Sequence, residues 1–583
     1  MHLIVLMGLF AADPRDIRSG LPIPTETYAD QPYIVKTDDK AWLVCITTGS
    51  GREGAAGQHV VTMRSTDQGK TWSKPVDVEP ADGPEASYAV MLKANSGRVY
   101  IFYNHNTDNL REVKGDNPPY KDGLVRRVDS LGHFVFKYSD DHGKSWSAQR
   151  YEIPQRDFEI DRKNVYGGKI KFFWTVGKAF AHKGAAYVPL HKVGGFGEGF
   201  FTSSEGVLLR SENLLTENDP NKIRWITWPE GEVGLRTPPG GGTVAEEQSF
   251  TELSDGSLFV VYRTIDGHSV YSYSRNSGRT WDTPQYMRYA DGRLMKHPRA
   301  ANFVWRCQNG KYLYWFHNHG GRFIREHPQQ RSIAYNDRNP VWLSGGVEAD
   351  GPNGKIIRWG QPEIALYDDD PMVRMSYPDL VEEGGRYWLT ETQKNIARTH
   401  ELDPKLLAAL WGEAPRVEPP AGPAGDLPLF LKRSNREDYA SEDLRAGATI
   451  QLRFRLNDWK AGETLFSNQD AEGKGFAVRT LPEGRLEFTM SDGRTENRSV
   501  SEKVFRTGTD HQVSLIVDGG PKVILWIVDG KLLDGGEEKQ FGWSRYNPHL
   551  QSIRGGKTTA SGSVLRHRIF PRALLVAEAL QPL

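Results

Sequence analysis

Widely separated parts of this sequence carry side chains whose chemistry would matter if the fold brought them together. Glu247 opens the stretch Glu247-Gln248-Ser249-Phe250-Thr251-Glu252-Leu253-Ser254-Asp255-Gly256-Ser257-Leu258-Phe259-Val260-Val261-Tyr262-Arg263, which places an arginine 16 positions behind an acid. Tyr377 lies far downstream, in Met375-Ser376-Tyr377-Pro378-Asp379-Leu380-Val381-Glu382. A phenol titrates near ~10 and is a poor nucleophile at neutral pH. A carboxylate within hydrogen-bond reach can take its proton as the new bond forms. Such a shielded nucleophile also avoids the repulsion that a bare carboxylate would meet from an anionic substrate. Taken singly, each residue has an ordinary reading: Glu247 as a rim ion-pair partner, Arg263 as a solvated strand end, Tyr377 as a packing aromatic. Polar clusters at Tyr103-Asn104-His105-Asn106, His191 and His317-Asn318-His319 add hydrogen-bonding capacity. His-x-His on a strand puts both rings on one face without requiring a metal. They read as ligand hydrogen bonders or a rim network, with no metal and no cofactor expected.

The elements that must position these groups are strands. The chain holds 60 Gly, 34 Pro, 16 Trp and 23 Tyr among 583 residues, a balance that favours an all-β protein with many tight turns. That length calls for two or three domains. Lys+Arg and Asp+Glu both total 74, which leaves no basic footprint for nucleic acid. No run approaches the ~20 apolar residues that span a bilayer. Cys45 and Cys307 alone exclude a disulfide framework and a cysteine zinc site, and read as buried free thiols. The start, Met1-His2-Leu3-Ile4-Val5-Leu6-Met7-Gly8-Leu9-Phe10-Ala11-Ala12-Asp13, resembles the apolar core and cleavage region of an export signal without its basic end. Residues 1–19 are therefore read as a signal segment or short N-terminal strand, and the protein as secreted or periplasmic.

One pattern repeats three times: Ser65-Thr66-Asp67-Gln68-Gly69-Lys70-Thr71-Trp72, Ser139-Asp140-Asp141-His142-Gly143-Lys144-Ser145-Trp146 and Ser274-Arg275-Asn276-Ser277-Gly278-Arg279-Thr280-Trp281. Each follows an apolar or alternating run. The Asp or Asn side chain caps backbone N–H groups of a tight turn, Gly supplies positive φ, and Trp wedges under the hairpin. Degenerate copies are expected near Ser211-Glu212-Asn213 and at Asn336-Asp337-Arg338-Asn339-Pro340-Val341-Trp342. After about residue 415 the composition changes. Residues 416–427 form a Pro/Gly linker, and residues 428–583 alternate as strands separated by Asp-Gly turns. Their layout resembles a laminin-G or concanavalin-like jelly roll.

The repeated motif resembles the Asp box of the sialidase superfamily. The resemblance implies that residues 20–415 form a six-bladed sialidase-type β-propeller, followed by the β-sandwich. It further implies that Glu247 assists a nucleophile, that Tyr377 is that nucleophile, and that Arg263 binds a substrate carboxylate. Arg322 and Arg331 are the candidates for a further carboxylate-binding arginine, with Arg331 preferred because it precedes a degenerate box. The family's acid/base group falls in the loop Gly51-Arg52-Glu53-Gly54-Ala55-Ala56-Gly57-Gln58-His59, where Glu53 and His59 are the candidates. The sequence departs from the family at Asp30, which stands where the first blade should present an arginine. An acid there would repel a carboxylate or supply the missing proton donor. The lead expectation is an exo-glycosidase that cleaves a terminal, anionic sugar from a glycan with retention. Its rivals are a polysaccharide lyase with His59 or Tyr377 as base, and a non-catalytic glycan-binding protein.

Overall fold

The computed structural model describes residues 13–115, 123–127, 129–197, 200–321, 337–417, 446–550, 553 and 555–583. The expected signal segment to residue 12, Arg322, Arg331 and nearly all of the expected linker lie outside the described residues. No helix among those described is long and apolar enough to cross a membrane.

Six antiparallel sheets of the sialidase propeller type follow one another along the chain. Blade 1 comprises Tyr28–Lys36, Trp42–Gly49, His59–Ser65 and Val76–Asp77, and blade 2 comprises Ala86–Lys93, Val99–His105, His133–Ser139 and Tyr151–Glu152. Blade 3 is built on Phe172–Trp174, Ala185–Gly197, Phe200–Ser211 and Ile226–Trp228. Blade 4 has Glu246–Glu252, Leu258–Arg263, Val270–Ser274 and Gln285–Tyr286; blade 5 has Phe303–Arg306, Tyr312–Phe316, Val341–Gly351 and Gly354–Leu366. Blade 6 combines Ser376–Glu383, Arg386–Thr392 and Ala397–Glu401 with Leu21–Ile23 from the start of the chain. The innermost strand of blade 1 packs on the innermost strands of both blade 2 and blade 6. Blades packed on both faces explain why their second strands, such as Trp42–Gly49 and Tyr312–Phe316, are apolar-rich runs with every residue buried.

The three boxes join the third and fourth strands of blades 1, 2 and 4. In the first, Thr71 N donates to Asp67 Oδ1 at 2.9 Å, Gly69 N donates to Ser65 Oγ at 2.8 Å, and Gly69 sits at φ 80°. Ser145 N to Asp141 Oδ1 and Thr280 N to Asn276 Oδ1, both 2.9 Å, repeat the arrangement. Near Ser211, Asn213 Oδ1 accepts from Arg224 N in a turn of related design. Among the described residues, the copy expected at 336–342 does not form a box. Asn339-Pro340 leads into the third strand of blade 5 instead of following it, so these residues do not close a hairpin.

The C-terminal β-sandwich stacks two sheets. One orders Lys531–Leu532, Val523–Val528, Asp510–Asp518, Ala448–Arg455 and Val564–Phe570; the other orders Glu496–Val500, Arg485–Ser491, Gly475–Leu481, Thr464–Ser467 and Thr559–Ala560. Leu452, Phe476, Phe488, Val513 and Trp526 lie in the core of this unit. The outer side of the first sheet contributes Ile516, Leu525 and Ile527 to a second core shared with Phe259, Tyr314 and Trp359 of the propeller. Arg15 to Asp518 (2.7 Å) and Arg293 to Asp534 (3.3 Å) add ion pairs across that junction. A broad apolar contact of this kind makes two domains move as one.

Candidate active site

Four of the six innermost strands carry the same deformation. Their register slips between Asp30 and Tyr33, Ser87 and Val90, Glu246 and Ser249, and Ser376 and Asp379. In each slip a residue other than glycine takes positive φ: Gln31 at 52°, Tyr88 at 58°, Glu247 at 59° and Tyr377 at 49°. Each such residue costs roughly 1–2 kcal/mol and turns a side chain off the ordinary pleat. Two of these strained positions, 130 residues apart, meet directly: Tyr377 Oη donates to Glu247 Oε1 at 2.9 Å. Arg263 Nη2 reaches the same Oε1 at 2.9 Å, so acid, phenol and guanidinium converge. All three are buried.

The acid's own sequence neighbour holds the arginines in place. Glu246 pairs with Arg263 Nη2 at 2.8 Å and with Arg299 Nη2 at 2.6 Å, leaving Glu247 to face the phenol. Burial pushes the Glu247 carboxyl above the usual carboxylate range; Glu246 adds to this, and Arg263 and Arg338 oppose it. Burial and the Glu247 charge hold the Tyr377 phenol well above its ordinary value. Glu247 Oε2, Tyr33 Oη, Gln31 Oε1 and His191 Nε2 are buried without a hydrogen-bond partner among the described residues. Each unmet bond costs about 1–3 kcal/mol, which a polar ligand would recover.

Asp30 and Glu53 share a cation. Lys394 Nζ lies 2.8 Å from Asp30 Oδ2, 3.3 Å from Glu53 Oε1 and 4.3 Å from the Tyr377 ring centroid. Asp30 also accepts from Tyr28 Oη at 2.7 Å, while Glu53 takes Arg127 Nη2 at 2.9 Å. The two carboxyls diverge. Burial raises that of Asp30 despite Lys394, whereas Lys394 and Arg127 override burial and hold Glu53 well below the usual range. Arg127 continues the network to Tyr88 Oη at 2.6 Å and Asp129 at 2.6 Å.

His59 does not join this group. Its ring nitrogens face Glu26 Oε1 at 3.3 Å and the Gly57 carbonyl at 3.3 Å, and none of its contacts reaches the phenol. Of the other polar clusters, His191 borders the site, its Nδ1 accepting from Glu247 N at 3.4 Å, and the rest are internal ties. Asn104 Nδ2 joins blade 2 to blade 3 through Phe173 O at 2.7 Å, Tyr103 Oη bonds Glu79, and His319 bonds the Asp337 carbonyl at 2.6 Å.

Sequence reasoning missed Arg338, Arg299, Lys394 and the Tyr88–Arg127–Asp129 group. Arg338 is buried; its Nη1 bonds Ser376 Oγ, beside the phenol's own backbone, at 2.6 Å. The signal was present: Arg338 lies three positions before the apolar start of a long strand, but Asn, Asp and Trp around it imitated a box. Lys394 lay 17 positions behind Tyr377, a spacing much like that from Glu247 to Arg263.

The sequence profile of the BNR repeat-like domain matches residues 43–388. No curated protein matches the chain. Among solved structures, a Dyadobacter fermentans protein of unknown function is 14% identical over 66% of this chain and 98% of that one, with a TM-score of 0.45. An intramolecular trans-sialidase from Ruminococcus gnavus is 14% identical over 67% and 99%, at 0.44. A Trypanosoma rangeli sialidase is 13% identical over 97% and 96%, at 0.42. Likeness at this level carries no information on activity.

Proposed function

Because the chain belongs to the BNR repeat-like domain family, and its repeats are Asp boxes on a sialidase-type propeller, we propose that it is a retaining exo-glycosidase acting on a terminal anionic sugar. The observation that carries this reading is the 2.9 Å hydrogen bond from Tyr377 Oη to Glu247 Oε1. Tyr377 Oη attacks the anomeric carbon and its proton passes to Glu247, so no bare phenolate forms in advance. Most glycosidases attack with a carboxylate and sialidases with a tyrosine; an anionic substrate explains the preference for a neutral attacking group. Arg263 and Arg338 supply guanidinium groups for the sugar's anionic substituent. Of the two carboxyls beside Lys394, Asp30 keeps its proton to the higher pH and is the better proton donor, because cations hold Glu53 ionised. Asp30 protonates the departing oxygen as the glycosidic bond breaks; water, giving a proton to Asp30, then enters from the face the aglycone left, opposite Tyr377, and Glu247 returns the proton to the phenol, with net retention. Asp30 in place of the family's first arginine removes one carboxylate clamp, so sialic acid is one acidic sugar among several to be tried.

The experiment is a panel of aryl glycosides of sialic acid, other ulosonic acids and uronic acids, with Tyr377→Phe as control. Turnover is expected to fall at least ~10³-fold in the variant, and a fluorinated donor should leave a mass-tagged Tyr377 peptide. Release that survives Tyr377→Phe would overturn the mechanism. Unsaturated products from uronate polymers would point to a lyase, and tight binding without any product would point to a lectin.

A further inference from the structure

We propose that the C-terminal sandwich positions Arg338, so that the site is assembled from both domains; this rests on the reading in which Arg338 meets the substrate. Arg338 stands between two residues whose carbonyls the sandwich governs. On one side, Arg545 Nη2 donates to the Asn339 carbonyl. Arg545 belongs to Ser544–Arg545, a strand of the sandwich paired with Val523–Val528. On the other side, the Asp337 carbonyl accepts from His319 Nε2 at 2.6 Å. His319 Nδ1 accepts from Gly321 N at 3.0 Å, which assigns the ring proton to Nε2 and makes that bond a true donation.

The sandwich grips His319 in turn. Its ring stacks on Phe541 with centroids 4.5 Å apart and planes 13° apart, and Trp543 meets it edge-on at 6.2 Å. Trp543 Nε1 donates to the Asn318 carbonyl at 3.0 Å, and Gly320 N donates to the Gln540 carbonyl at 2.9 Å. Residues 540–545 thus hold both backbone segments around the arginine. Asn339 is tied from the propeller side as well, through its Nδ2 to the carbonyls of Asp368 and Asp370. A guanidinium needs its backbone fixed to within a fraction of an ångström to recognise an anionic group by two bonds. Phe541 and Arg545 are therefore positioning residues, acting through His319 and Asn339.

The test uses the full-length protein with Arg545→Ala, Arg545→Lys and Phe541→Leu, read by hydrogen exchange and by steady-state kinetics. In Arg545→Ala and Phe541→Leu, exchange should quicken about tenfold at the amides of residues 337–339 while blade 2 is unchanged. KM should rise about tenfold with kcat altered less than about twofold, and Arg545→Lys should restore most of the loss. Unchanged exchange at 337–339 in both variants would overturn the proposal. So would an increase spread evenly over all blades, which is ordinary destabilisation. If no glycoside is turned over at all, the proposed activity fails, and the exchange result still decides the positioning role.

Discussion

The box turns at the blade edges and the bulges of the innermost strands both hold residues at positive φ, yet they are built in opposite ways. In the first box, Ser65, Asp67, Gly69 and Thr71 satisfy one another within seven residues, at the exposed edge of the blade. Glycine takes one of the two positive-φ positions and Gln68, at 61°, the other, in a turn whose own side chains bond its backbone. At the axis, Glu247 and Tyr377 accept the strain without being glycine, and each meets the other from a different blade. Arg299 reaches Glu246 across 53 residues, and Lys394 reaches Asp30 across 364. The turn is a folding device that stabilises itself. The bulge is held by the surrounding blades, which over-determine its strained positions.

Glu247→Gln should separate the two regions most strongly. Without a proton acceptor for the phenol, kcat is expected to fall by about 10²–10⁴-fold, with little change in melting temperature. In the parent protein Glu247 must be ionised to act, and its carboxyl lies above the usual range. Activity should therefore rise with pH through a limb displaced upward from ~4.3, the ordinary glutamate value. A limb at or below that value, or one unchanged in Glu247→Gln, would assign it to another group. Glu246→Ala comes next. It removes the carboxylate shared by two buried guanidiniums, Arg263 and Arg299, and should cost about 3–5 kcal/mol in urea unfolding, with activity lost as Arg263 shifts. The smallest effect belongs to the rim. Gly69→Ala meets only ordinary contacts, 3.4 Å from Trp42 and 3.5 Å from Trp72, so the penalty is conformational, about 1–2 kcal/mol. Its catalytic rate should equal that of the parent; a rate loss beyond about twofold would tie the rim to the site.

Arg263 and Tyr377 were legible because each sits in a strand whose flanking residues have their own signature, Leu-Ser-Asp-Gly in one case and the opening of a late strand in the other. Arg338 was obscured by a turn-like composition that the chain uses to enter a strand. Lys394, Arg127 and Asp129 had no local signature, since a charged residue at a blade end looks the same whether it faces water or a buried acid. His59 was the alternative to Glu53 because it lies in the loop before the first box, and only coordinates reveal that Glu26 and Gly57 occupy its ring.

The repeating hairpins, the all-β class and the C-terminal sandwich are written in consecutive positions, because turn chemistry and strand alternation act over a few neighbours. Which acid faces the phenol, which arginines surround it, and that the sandwich reaches the backbone beside Arg338 emerge only once the chain is folded. Those outcomes depend on packing the blades upon one another, where burial and charge at each site are set by groups hundreds of residues away.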